Sequence, residues 1–503
     1  MVREYLEKIK ENIDVRKNLI DLKAAIADQT KKHAMLYALG NEFGIFYKLL
    51  EAEDPKIRKN AAQILGKIGN KESLDYLYQA YEREDKLFVR GSYLTAMKEM
   101  DYRKYLDRFK ERLEQVQSYE PKEEEKKHRN EEIKLLRELV TAIEGTKRHT
   151  FTGYEKVTKI VLLTNRNYQS VTFEQMKSHR AKVFGAGVMA RTADLKDILP
   201  IRTYTELLFV LEDKNVLQIH SKKVKDQATE LANQIIDSSL VTFLKERHKE
   251  NAPFLFRIEC KGAMDRKEKS ILTKTMAQII EEGTKGELVN STSHYEIELR
   301  LIPNKEGNYN FLVKLFTIPD ERFSYRRNAI ASSIHPVNAA LLMELAKDYF
   351  TEKAQILDPF CGVGTMLVER QKVLPVGDMY GIDIYGKGIE AARENTALAN
   401  IRVNYINRDF FDFTHEYLFD ELITNMPRIM GQKDKKEITC IYKEFWKKAK
   451  EHLKINGILV LFTYDRDILK QTLRKEWYTI LEEFEISRKE GAYLFVCRRI
   501  DEV

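Results

Sequence analysis

Cysteine is scarce in this 503-residue chain: Cys260, Cys361, Cys440 and Cys497 are scattered, with no CxxC pair. That excludes a disulfide framework and a zinc–cysteine site, so reduced thiols and no metal are expected. Long apolar runs are missing too, none approaching the ~20 residues that span a bilayer. The opening Met1-Val2-Arg3-Glu4-Tyr5-Leu6-Glu7-Lys8 is charged and amphipathic rather than a secretory signal. A cytoplasmic protein without a membrane partner is expected. Charge of one sign is not abundant either. Lys and Arg number 85 against 78 Asp and Glu, a net charge of +7 that suits an anionic polymer without proving one.

What is present is a 43% apolar, 32% charged chain, long enough for several domains with cores of their own. Residues 1–118 read as helices with an internal echo. Ile57-Arg58, with Ala61, Ala62, Leu65 and Ile68, recurs as Val89-Arg90 with Tyr93, Leu94, Met97 and Met100. Val15-Arg16-Lys17-Asn18, with Leu19 and Leu22, is a weaker third copy. Each unit reads as a helix pair whose apolar stripe needs a neighbour. The pattern resembles HEAT-like repeats; an ordinary helical bundle is the alternative. Residues 119–150 follow as a charged linker and helix. Pro121 and Glu123-Glu124-Glu125-Lys126-Lys127-His128-Arg129 predict a solvated stretch, and Ile133, Leu136, Leu139, Val140 and Ile143 restore a helical period.

From about residue 150 the period shifts towards strand. Candidate strands are Val157–Thr164, Leu207–Leu211, Phe254–Cys260, His294–Ile302 and Tyr309–Phe316, with helices at Val224–Ser238 and Ser270–Glu282. Tyr295-Glu296-Ile297-Glu298-Leu299-Arg300-Leu301 alternates cleanly, so one buried and one wet face are expected.

Asp358-Pro359-Phe360-Cys361-Gly362-Val363-Gly364-Thr365 then separates an apolar strand signal from a helix start. Its glycines allow a tight turn and a close ligand approach. Asp383, in Gly381-Ile382-Asp383-Ile384, follows at about the 20-residue interval that puts an acid on ribose hydroxyls. The third glycine of the dinucleotide fingerprint is absent, since Leu367 stands there. Asp358, ahead of the glycines, suits a cationic amino group better than a pyrophosphate. Together these favour S-adenosylmethionine, whose methionine end carries an ammonium and no phosphate. Asp409, in Asn407-Arg408-Asp409-Phe410-Phe411, stands past a third strand signal. It reads either as an acceptor for the adenine amino group, with Phe410 against the ring, or as a helix N-cap.

The order of these parts resembles the THUMP-domain RNA methyltransferases. The likeness runs from the α+β region through Phe323-Ser324-Tyr325-Arg326-Arg327 and Ser332-Ser333-Ile334-His335-Pro336-Val337-Asn338 to the DPFCGVGT turn. It is strongest over 322–384, weaker over 150–320 and absent before 145. It implies a ferredoxin-like/THUMP α+β region at 151–325 and a Rossmann-like class I methyltransferase domain at 326–503, with the HEAT-like helices read at 1–118 as an added module. Ser333, His335 and Pro336 would cover the cofactor. RNA, tRNA through its 3′ end, would be the partner, and guanine N2 the target. Lys261, Arg266, Lys267, Lys269 and Lys274, with Arg326 and Arg327, are the candidate phosphate contacts.

Asn425-Met426-Pro427-Arg428, after the strand Glu421–Thr424, is the expected catalytic loop. An asparagine oxygen and the next carbonyl accept both hydrogens of an exocyclic amine, and proline stiffens the turn. Relatives carry an aromatic where Arg428 stands. A guanidinium plane also stacks on a base and also binds phosphate. Three readings follow: a tRNA guanine-N2 methyltransferase with HEAT helices for tRNA or protein contact, a non-catalytic RNA-binding scaffold, or an adenine-N6 or protein methyltransferase.

Overall fold

The computed structural model describes residues 2–40, 43–118, 124–144, 149–250, 253–428 and 435–500. The chain divides into two compact units, Met1–Lys147 and Arg148–Val503.

The first unit is helical, from Val2–Lys10 to Lys126–Glu144, with the apolar stripes meeting in one core. Helix Pro55–Ile68 starts on Asp54, whose carboxylate accepts the Lys56 amide at 2.8 Å. The echoed arginines converge on one residue. Arg58 Nη2 lies 2.6 Å from Glu84 Oε1, and Arg90 Nε donates to the Glu84 carbonyl at 2.8 Å. Gly66 lets Pro55–Ile68 meet Leu87–Met97 closely, because a Cβ there would lie 2.7 Å from Ala96 Cα.

The helical period read within 119–150 belongs to a helix packed in this core. Pro121 and Glu123 lie outside the described residues, but Lys126–Glu144 is part of the helical core, with Leu136 and Leu139 buried. Glu132 is buried as well, accepting the Tyr81 hydroxyl at 2.7 Å and Arg112 Nε at 3.1 Å. With Arg90 Nη1 at 3.5 Å as a third, these charged and polar partners explain why an acid tolerates that position.

Among the described residues, the second unit contains two sheets. The first is a mixed nine-stranded sheet. Thr158–Thr164, Tyr204–Val210, Phe254–Cys260, Ile297–Pro303 and Tyr309–Leu315 lie where alternation predicts strands, and Val224–Ile236 and Arg266–Gly283 join the core beside it. The hairpin Arg180–Phe184 with Gly187–Thr192 was not read from the sequence; its first strand is short and mostly exposed. The wet face expected of residues 295–301 is corrected. Glu298 and Arg300 are 1% and 4% exposed. Arg257 and Arg300 clasp Glu298, while Arg300 and Lys314 bind Glu206, so the charges compensate one another under cover.

The second sheet has seven strands: first Ile356–Asp358, second Met379–Asp383, third Asn404–Asn407, fourth Phe419–Asn425, fifth Leu453–Thr463, sixth Tyr478–Ser487 and seventh Ala492–Arg499. Their order is 3-2-1-4-5-7-6. The first five are parallel, and the seventh runs antiparallel to both neighbours. The order reverses between the first and fourth strands, which opens a crevice beyond their carboxyl ends. Asp358 and Asn425 end those two strands.

Candidate active site

The glycine turn is held from the second strand. Gly362 (φ +51°) donates its amide to Asp383 Oδ2 at 2.8 Å, and Cys361 donates to the Ile382 carbonyl at 2.9 Å. Gly364 (φ +79°) has no room for a side chain, because a Cβ would lie 2.2 Å from the Tyr405 hydroxyl. Thr365 then starts the helix Thr365–Val373 with its hydroxyl buried and unpartnered. Pro359 is buried, and Phe360 is half-buried among Phe410, Phe411 and Phe445.

Asp358 is 1% exposed. Its Oδ1 accepts the Thr424 hydroxyl at 2.6 Å and the Phe360 amide at 3.1 Å. Oδ2 is buried without a partner. Burial pushes this carboxyl up to about 7, against the lowering by those donors, and nearby Asp383 adds to the rise. A buried acid with a free acceptor and a raised pKa calls for a cation. Asp383 also accepts the Tyr385 amide at 2.8 Å, and beside it Ile384 is 72% exposed. Asn407 braces that loop, donating to the carbonyls of Asp383 and Ile384.

On the fourth strand, Asn425 Nδ2 donates to the Ser332 carbonyl at 3.2 Å, while Oδ1 is buried and unpartnered. A carbonyl partner can only accept, so the amide orientation is fixed with the oxygen turned away from it. Met426 is buried and donates its amide to the Phe462 carbonyl, Pro427 and Arg428 are half-buried, and the Arg428 guanidinium lies 4.5 Å over the Tyr464 ring.

The segment 323–336 frames this crevice. Tyr325 donates to Glu369 at 2.6 Å, and Arg202 clamps the same buried carboxylate. Asn395 ties Asn328 to the Val363 carbonyl of the glycine turn. Ser333 closes a turn on Ile330, and His335 caps the helix starting at Pro336, its imidazole pushed below the usual range by burial and by Arg326.

The remaining candidate residues have the following contacts. Asp409 is an N-cap, accepting the Phe411 amide at 3.0 Å, and the Phe410 ring is 1% exposed, committed to the core against Phe360 and Phe445. Arg326 bonds the Ile334 carbonyl within the framing segment, whereas Arg327 is exposed. Lys261, Arg266, Lys267, Lys269 and Lys274 sit around the start of helix Arg266–Gly283, with Lys261 and Lys269 facing Glu259. They do not touch the glycine turn or Asn425. Thr424, Ser332, Asn395 and Asn407 escaped sequence reading, because hydroxyl and amide braces of this kind have no fixed spacing. A cavity of about 730 Å³, lined in part by Ser324 and Tyr325 of the framing segment, also carries Arg202, Arg322 and Lys314, whose charges Glu369, Asp320 and Glu206 already answer.

A doubly wound sheet with a glycine turn, two strand-end acids and an unpartnered asparagine acceptor at its switch point defines an S-adenosylmethionine-dependent methyltransferase domain. Comparison with known proteins agrees. Residues 324–490 match the family described as RMKL-like, methyltransferase domain, and residues 44–122 match HEAT repeats. A ribosomal protein L11 methyltransferase of Fusobacterium nucleatum is 25% identical over 238 residues, 44% of this chain and 72% of that protein. In fold, the chain is similar to TrmN from Thermus thermophilus, with 17% identity, 68% of this chain and all of that chain covered, and a TM-score of 0.51. It is also similar to a predicted N6-adenine-specific DNA methylase from Listeria monocytogenes, at 15% identity over 68% of this chain and 96% of that one, with a TM-score of 0.51.

Proposed function

We propose that the protein transfers a methyl group to an exocyclic amine of an RNA base, with guanine N2 of tRNA as the target. The observation that carries this reading is the Asn425 side chain. Its Oδ1 is buried, unpartnered and oriented by Ser332, a state that costs stability unless a donor arrives. The residues present also fit the cofactor. Asp358 Oδ2 would take the ammonium, the glycine turn the methionine chain, Asp383 the ribose and Ile384 a face of the adenine. When bound, S-adenosylmethionine supplies a methyl group activated by a sulfonium.

The chain's own part is positioning. Asn425 Oδ1 accepts one hydrogen of the substrate amine and the Met426 carbonyl accepts the other, which turns the nitrogen lone pair outward. Pro427 stiffens the loop, so little reorganisation remains at the moment of transfer. A stem base has to leave its stack to reach Asn425. The central sheet, in its THUMP-like reading, would select the RNA through Lys261, Arg266, Lys267, Lys269 and Lys274, and the HEAT helices would add RNA or protein contact.

The test is transfer of labelled methyl from S-adenosylmethionine into bulk tRNA, followed by nucleoside analysis. N2-methylguanosine is expected. N6-methyladenosine would replace the target, and label in protein alone would replace the substrate class. No transfer despite cofactor binding would make the protein a binder on a methyltransferase fold.

A further inference from the structure

Helix Pro55–Ile68 carries four cations, Lys56, Arg58, Lys59 and Lys67, and no carboxylate. Lys56, Lys59, Gln63 and Lys67 stand three or four residues apart, so they share one face. The neighbouring helix Val15–Ala25 brings Lys23 to that face. Lys23 Nζ donates to Asn60 Oδ1 at 2.7 Å and to Gln63 Oε1 at 2.8 Å, and Lys67 Nζ donates to the Lys23 carbonyl at 2.9 Å. Asn60 is buried, and its Nδ2 donates to the Lys56 carbonyl, which turns the amide oxygen towards Lys23. Lys23 is therefore held by neutral oxygens. Among the described residues no carboxylate pairs with Lys23, Lys59 or Lys67, and Asp21, the one acid on the two helices, forms no ion pair.

Burial, joined by the charges of Lys67 and Lys59, holds the Lys23 ammonium below its ordinary range. Three cations thus stand together with their charge unanswered. An ammonium has three donors. Lys23 uses two of them and Lys67 one within the protein, so both keep donors for a ligand. Lys59 and Lys67 lie about 12 Å apart along the helix axis, room for successive charges of one polyanion. What joins these cations is polar, since Gln63 continues from Lys23 to the Ser92 hydroxyl on helix Leu87–Met97. A protein partner anchors through an aromatic or apolar side chain in a pocket. Amides and a hydroxyl between cations suit a phosphate backbone instead. We propose that Lys23, Lys59 and Lys67 form a phosphate-binding face of the helical unit, which takes the backbone of the RNA substrate. The proposal rests on the methyltransferase reading above for the identity of the polymer, and it names the contact that the helices add.

Binding of labelled tRNA to the full-length protein, followed by fluorescence anisotropy across a salt series, tests this independently of methyl transfer. Melting of the helical unit is the control for folding. Lys59→Gln with Lys67→Gln removes two of the charges. It is expected to weaken binding about fivefold, the scale of two exposed ionic contacts. The slope of log affinity against log salt should become shallower by about 1.5, as for two lost phosphate contacts. Lys59→Arg with Lys67→Arg keeps the charge and should bind as the unaltered protein does. Lys31→Gln with Lys48→Gln removes as much charge from exposed positions on two other helices and should leave affinity and slope in place. Equal weakening by that second pair would reduce the effect to net charge and overturn the face. So would tRNA binding indifferent to Lys59→Gln with Lys67→Gln. Loss of poly-glutamate binding in that variant, with tRNA binding kept, would assign the face to an acidic protein segment and overturn the proposal as well. Lysine-dependent tRNA binding without methyl transfer by the unaltered protein would overturn the proposed function and leave the phosphate face standing.

Discussion

Two side chains at the switch point carry unspent capacity, and each makes a separable prediction. Asn425→Ala removes one prearranged acceptor, a loss worth about 10²–10³ in kcat when such groups act on the reacting centre. Cofactor affinity should not change, which calorimetry with S-adenosylhomocysteine checks; undiminished transfer would dismiss the role. Asp358 predicts a pH dependence. Its native carboxyl is raised to about 7, from about 4 in an unfolded chain. Between those values the native state holds a proton that the unfolded chain has released, so stability falls as pH rises through that window. Cofactor binding runs the other way, because the ammonium favours the carboxylate, and affinity should climb between pH 6 and 8. Asp358→Asn is expected to flatten both trends and to weaken binding at pH 8 about tenfold, the scale of one charge-assisted hydrogen bond. Melting curves and titrations across that range decide it. The strand-end placement of Asp358 and Asn425 was legible from the apolar runs before them and the turns after. Ser332 and Thr424, which orient them, were not, since any residue offers a carbonyl and a lone hydroxyl carries no signature.

Among the elements, the glycine turn is the most tightly specified. Gly364 combines a left-handed backbone with contact against Tyr405, so Gly364→Ala meets both a conformational penalty of about 1–2 kcal/mol and a clash. A fall in melting temperature with loss of cofactor binding is the expected result; a variant of native stability would mean that the turn relaxes. This element was readable from the spacing of Gly362, Gly364 and Asp383 alone, because backbone and ligand constraints act locally there. The strand Ile297–Pro303 shows the opposite limit. Its alternation located the strand correctly, but not its environment, because Glu298 and Arg300 lie buried beside partners as distant in sequence as Glu206. Burial of paired charge is a tertiary fact that a period of two cannot encode. The helix Lys126–Glu144 was read from its apolar period, but the burial of one of its acids was not, for a related reason. Its charged start reads as linker, and only contact with Tyr81 and Arg112 reveals that Glu132 belongs inside.

At the scale of the whole molecule, the two units have separate cores. The helical core draws only on residues before 148, and every residue of the proposed site lies after it. The expected change of periodicity near residue 150 lies close to the division at 147/148. Separate cores predict separable unfolding. In the full chain, S-adenosylhomocysteine should raise only the transition of unit Arg148–Val503, by about 2.7 kcal/mol at a hundredfold excess over its dissociation constant. The transition of Met1–Lys147 should stay in place. A fragment of residues 148–503 should bind the same ligand within about twofold of the full chain, a difference of under ~0.5 kcal/mol, because no residue assigned to the cofactor is lost. Calorimetric scans of both proteins, with and without ligand, make the comparison. One merged transition moving as a whole would show that the helices share in the folding of the catalytic unit. Two transitions, one of them indifferent to the ligand, would leave the helices free to serve a contact outside the cofactor site.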